Sequence, residues 1–204
     1  KRTRTQLDAL IANDVDDPKI PLTCTSGISD MSKMFYRADT FNQPLNNWDV
    51  SSVTDMSRMF WRAGSFNQPL NNWDVSSVTD MSKMFLYATS FNQPLNSWDV
   101  SNVTDMNYMF ADVPDFDYDI SSFNQPLNNW DVSNVTDMNR MFRGAKSFNQ
   151  SLNSWDVSNV TIMAAMFQGA KNFNQPLHDW DVSNVTNIGS MFRDTQSFNR
   201  VLDK

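Results

Sequence analysis

One spacing constrains this chain more than any other feature. The pair Phe-Asn stands at Phe41, Phe66, Phe91, Phe123, Phe148, Phe173 and Phe198, at intervals of 25, 25, 32, 25, 25 and 25 residues. A second pair, Met-Phe, keeps the same step and ends at Phe35, Phe60, Phe85, Phe110, Phe142, Phe167 and Phe192. A unit of this length cannot enclose its own apolar face and gains a core only by stacking on its neighbours. The expectation is one elongated array rather than one or two compact domains.

Two periodicities alternate inside a unit. Asn72-Trp73-Asp74-Val75-Ser76 alternates polar and apolar, which predicts a short strand with Trp and Val inward. Val78, Met81, Met84, Phe85 and Ala88 recur at threes and fours, which predicts one or two turns of helix capped by Thr79 or Asp80. Phe91-Asn92-Gln93-Pro94-Leu95 then supplies a Pro corner. The fold class this predicts is an α/β repeat, a short parallel strand plus a short helix per 25-residue turn. Ahead of the repeats, Leu7, Leu10 and Ile11 mark a short amphipathic helix with Thr3 or Thr5 as N-cap. Residues 1–26 are therefore read as a helical cap and connector. Residues 27–204 are read as about seven repeats, cut short just after a new unit opens at Phe198, so the chain reads as a segment of a longer protein.

Composition agrees with many turns and an ample core. The chain holds 15 Phe, 13 Met and 7 Trp, and its 23 acidic residues are all Asp, the carboxylate that closes turns through its own backbone. A net charge of -7 argues against nucleic acid as a ligand. No apolar run reaches the ~20 residues of a membrane span. A single cysteine, Cys24, excludes an internal disulfide framework or a Cys-rich zinc site. The lone His178 stands where the other units carry Asn, and no nucleophile–base pair can be assembled, so no catalytic residues and no enzyme activity are expected.

The residues that carry a family resemblance are Trp73-Asp74-Val75-Ser76, Val78-Thr79-Asp80-Met81 and Met84-Phe85, with their copies from about Gly27 to Asn199. In them the chain resembles the BspA-like leucine-rich-repeat proteins of bacterial surfaces. That resemblance implies a right-handed leucine-rich-repeat-like solenoid displayed on the cell surface or secreted. It implies adhesion or protein binding and brings no catalytic residues with it.

Three features are candidates for chemistry. Asp49, Asp74, Asp99, Asp131, Asp156 and Asp181 form one ladder, read as turn-closing carboxylates with shared cation binding as the alternative. Asn42 and its copies form another, read as structural. The unit after Phe110 carries seven extra residues within 111–122, where Asp115, Asp117 and Asp119 alternate like the first calcium ligands of an EF-hand loop but lack its Gly and Glu. No cofactor is expected apart from calcium there. The positions that vary between units are Tyr36, Arg37, Arg58, Trp61, Arg62, Leu86, Tyr87, Tyr108, Arg140 and Arg143. Arg, Tyr and Trp together have the composition of a protein interface, so these residues and the insertion are expected to bind a protein partner. The alternative is a structural array, or a binder of a periodic surface such as polysaccharide, mineral or ice.

Overall fold

The computed structural model describes residues 1–112 and 121–200. Its one helix among the described residues, α1 (Arg4–Asn13), lies where the Leu7, Leu10 and Ile11 stripe predicts it. Thr3 is the N-cap. Its hydroxyl accepts the Gln6 N–H and the Gln6 side chain accepts the Thr3 N–H, a capping box. Leu7 is buried, and Leu10 and Ile11 pack on the core beneath.

The repeats stack as expected, but the α/β assignment of each unit is overturned. Among the described residues no strand forms. Instead a file of single parallel bridges links Asp30, Asp55, Asp80, Asp105, Asp137, Ile162 and Asn187, one per unit. These residues number the layers 1 to 7. Trp73 and Val75 do point inward, but the Trp73 N–H turns back to the Leu70 carbonyl instead of crossing to a neighbouring layer.

The segment expected to be helical is a chain of overlapping turns. In layer 3 the N–H groups of Met84, Leu86 and Ala88 turn back to the carbonyls of Met81, Lys83 and Phe85. The alternate N–H groups, of Met81, Lys83, Phe85 and Tyr87, donate to Asp105, Asn107, Met109 and Ala111 in the next layer at 2.8–3.0 Å. Lys83 and Tyr87 have φ of 59° and 60°, where a helix cannot continue. Each is the third residue of a four-residue turn, the position where a type II turn requires positive φ. Such turns bury residues three and four apart just as a helix does, which is why the spacing misleads.

The core is built from files running along the stack. Phe85 stacks on Phe91 within its layer at 4.1 Å between centroids, and on Phe60 and Phe110 in adjacent layers at 5.5 and 5.7 Å. Met81, Met84, Val75, Val78, Leu95 and Trp98 are buried beside them. Each tryptophan of this core donates its indole N–H to a Leu or Ile carbonyl one layer back; Trp73 reaches Leu45 at 3.0 Å. Corners are tied by asparagine. The Asn67 carboxamide oxygen accepts the Asn92 N–H and the Gln93 side-chain amide, and the same pattern recurs from Asn42 to Asn149, while Asn174 accepts the Asn199 N–H. The asparagine ladder is thus structural.

Arg4 of α1 closes one edge of the ladder. The carbonyls of Asp30 and Ser32 occupy positions that accept N–H groups from a preceding layer elsewhere in the stack, and Arg4 donates to them at 2.6 and 2.7 Å. It also pairs with the Asp8 and Asp30 carboxylates.

Candidate functional site

Two side-chain files leave the stack at the positive-φ positions. The first runs Lys33, Arg58, Lys83, Tyr108, Arg140, Ala165 and Ser190, and the second includes Arg37, Arg62, Tyr87, Gly144, Gly169 and Asp194. In layers 1 to 5 they gather the expected cations and rings into one stripe. Tyr36 is 38% exposed and meets Trp61 edge-on at 5.1 Å between centroids. The Arg37 guanidinium lies 5.2 Å over the Tyr36 ring, and Arg62 lies 5.2 Å over Tyr87. Tyr108 is flanked by Lys83 at 5.4 Å and Arg140 at 5.2 Å, and Arg140 also donates to the Tyr108 hydroxyl at 2.6 Å.

The contacts within the stripe are cation–ring contacts rather than ion pairs. Among the described residues no carboxylate lies within ion-pairing distance of Lys33, Arg37, Arg58, Arg62, Lys83 or Arg140. Two donors beneath it, Trp61 Nε1 and Arg140 Nε, are buried with no hydrogen-bond partner among the described residues.

The expected interface changes at several points. Leu86 is only 4% exposed, packed inward between Trp61 and Ala111 of its file, so it is not a contact residue. Arg58, Trp61, Tyr87, Tyr108, Arg140 and Arg143 are half-buried, with Arg143 one residue from the φ > 0 Gly144. Lys33 and Lys83 join the stripe, although the expected contact set omits them. Their position three residues after the bridge residues Asp30 and Asp80, shared with Arg58 and Arg140 after Asp55 and Asp137, is the signal that places them there.

The two acidic features resolve differently. Asp49, Asp74 and Asp99 each accept the N–H and the hydroxyl of the Ser two residues on, at 2.6–3.1 Å; Asp131, Asp156 and Asp181 accept that N–H at 3.0 Å. This is the turn-closing role. The Ser hydroxyl and N–H bonds hold Asp49, Asp99 and Asp156 below the usual carboxylate range. The bridge file closes the same kind of turn. Asp55, Asp80, Asp105 and Asp137 each accept the N–H of the residue two on, at 2.7–2.8 Å. At Asp137 burial, aided by repulsion from Asp105, pushes the carboxyl up despite the Asn139 N–H and nearby Lys83.

Asp112 and Ser121, which flank the insertion, are buried. Asp112 accepts the Ser121 N–H at 2.9 Å and donates its own N–H to the Arg143 carbonyl at 2.7 Å. Asp115, Asp117 and Asp119, the residues considered for calcium, lie outside the described residues. Among the described residues no three His, Cys, Asp or Glu side chains gather as a metal site, and no helix is long and apolar enough to cross a membrane.

No curated protein and no solved structure matches the chain. A family described as "Mycoplasma protein of unknown function, DUF285" matches residues 12–123 and 116–204. This supports the coarser part of the resemblance, a repeat family, and not the BspA-like class specifically. With both stretches matched, and together covering nearly all of the stacked layers, the chain belongs to the DUF285 family.

Proposed function

We propose that this chain is a non-catalytic binding and adhesion module whose recognition face is the cation–aromatic stripe. One observation carries the reading. From layer 1 to Arg140 in layer 5 the positive-φ positions hold Lys33, Arg37, Arg58, Arg62, Lys83, Tyr87, Tyr108 and Arg140, while those that follow hold Gly144, Ala165, Gly169, Ser190 and Asp194. The left-handed region costs a side-chain-bearing residue ~1 kcal/mol, and Gly occupies it without that cost. The stack accepts small residues there, so its own packing does not account for eight large ones. Strain that packing does not require is a mark of selection for contact.

The ligand this face suits is acidic and extended, because its cations, which have no carboxylate partner among the described residues, stand beside rings along the stack. A protein partner with an acidic surface fits this description. The cell-surface setting of the proposal rests on the resemblance to displayed repeat proteins. Attachment of protein-coated beads to host-type cells or matrix tests it. Replacing Arg37, Arg58 and Arg62 with Gly is expected to reduce attachment about tenfold or more, with little loss of thermal stability. Attachment unchanged in this variant would remove the stripe as the recognition face.

A further inference from the structure

We infer that the ligand of the stripe is a linear acidic polysaccharide, a glycan with spaced uronic-acid carboxylates, lying along the stacking direction. This rests on the reading of the stripe as the recognition face. Register is the first argument. Bridged layers repeat about every 4.8 Å, close to the advance of one pyranose unit in an extended glycan. Lys33, Arg58 and Lys83 on one file, and Arg37 and Arg62 on the other, therefore keep step with successive sugars, so that every second layer faces a carboxylate when alternate sugars are charged. An extended acidic peptide repeats a face about every 6.6 Å, longer than the bridged step.

Surface chemistry is the second argument. Sugars present a C–H face that packs on aromatic rings, and Tyr36, Trp61, Tyr87 and Tyr108 stand in adjacent layers with part of each surface open. Arginine offers a planar fork that takes a carboxylate through two N–H bonds. The cations named have no carboxylate to surrender among the described residues, so a ligand carboxylate displaces no internal ion pair.

Charge density is the third. The bridge carboxylates Asp55, Asp80 and Asp105 stand three residues before Arg58, Lys83 and Tyr108, and the whole chain is at -7. A nucleic acid with a phosphate at every step, or a densely sulfated chain, meets more repulsion here than a glycan charged at alternate sugars.

Tryptophan emission supplies a local readout. Trp61 is half-buried while the other six tryptophans are buried, so a ligand on the stripe perturbs Trp61 alone. The 204-residue chain is titrated with hyaluronan oligosaccharides, neutral dextran, poly-aspartate and a single-stranded oligonucleotide. Saturable binding of hyaluronan, absent with dextran and weakened about tenfold or more by Arg58→Gly with Arg62→Gly, is the expected result. The emission change should vanish in Trp61→Phe while calorimetric binding persists. Equal binding of dextran, or binding of poly-aspartate or oligonucleotide in preference to hyaluronan, overturns the polysaccharide and leaves the stripe as the recognition face. No binding of any polyanion, together with stripe-independent bead attachment, overturns both.

Discussion

The file of Phe85 and the file of Lys83 run side by side through the same layers and follow opposite rules. Phenylalanine recurs unchanged from Phe35 to Phe192, each ring stacked on its neighbours. The adjacent file changes from Lys to Arg, Tyr, Ala and Ser while every member keeps φ between 54° and 60°. Inside, contact between layers fixes the residue and the backbone together. Outside, it fixes the backbone alone, and the side chain is left to another demand.

Substitution in the inner file should break the stack outright. Phe85 contacts Phe60, Phe91 and Phe110, so Phe85→Ala is expected to cost ~3–5 kcal/mol by chemical denaturation. A loss under ~1 kcal/mol would show that the layers melt independently of this file. The outer file sharpens the comparison through two glycines with the same φ of 71°. A Cβ on Gly144 would lie 1.5 Å from the Asp112 carbonyl oxygen, whereas one on Gly169 would meet nothing nearer than 3.7 Å. Gly144→Ala should therefore cost ~3 kcal/mol or more, and Gly169→Ala only the ~1 kcal/mol of left-handed strain. Equal losses would mean that conformation alone decides.

The smallest effect concerns pH. Asp137 has its folded value raised above the usual 3.8, so the native state holds its proton more tightly than the unfolded chain. Stability from this group falls as pH rises through the window above that value. Layer 7 carries Asn187 at the same position, where it accepts the Gly189 N–H in the same turn. Asp137→Asn should thus raise stability slightly at neutral pH, a gain that disappears below about pH 4. Thermal melts at both pH values measure it, and a gain that persists in acid would assign the effect to packing. Asp49, Asp99 and Asp156, with lowered values, contribute in the opposite sense, their stabilisation fading as pH falls through 3.8 and below.

The stack and its contents were legible because the spacing of Phe, Trp and Met is a direct record of what touches what. The cap helix was legible because Leu7, Leu10 and Ile11 share one helical face and Thr3 can cap it. Local conformation was not, since Met81, Met84 and Ala88 bury equally well on a helix or on successive turns. The decisive signal lay across units rather than within one. Gly144 and Gly169 align with Arg37, Arg62 and Tyr87, and a glycine column in a repeat marks positive φ at the members that share its turn. Reading that column would also have separated Leu86, the inward residue, from Tyr87 beside it.

The direction of the ladder bonds has a further consequence. In an ordinary strand successive N–H groups point to opposite neighbours and their dipoles largely cancel. Here the alternate N–H groups are consumed in turns, so along the bridged edge those of Met81, Lys83, Phe85 and Tyr87 all face one way, while Thr79, Asp80, Ser90 and Asn92 elsewhere in the unit face back. Amide dipoles therefore align along this edge, leaving its carbonyl-rich, electronegative end at layer 1. Arg4 sits on that end, as counter-charge as well as hydrogen-bond donor.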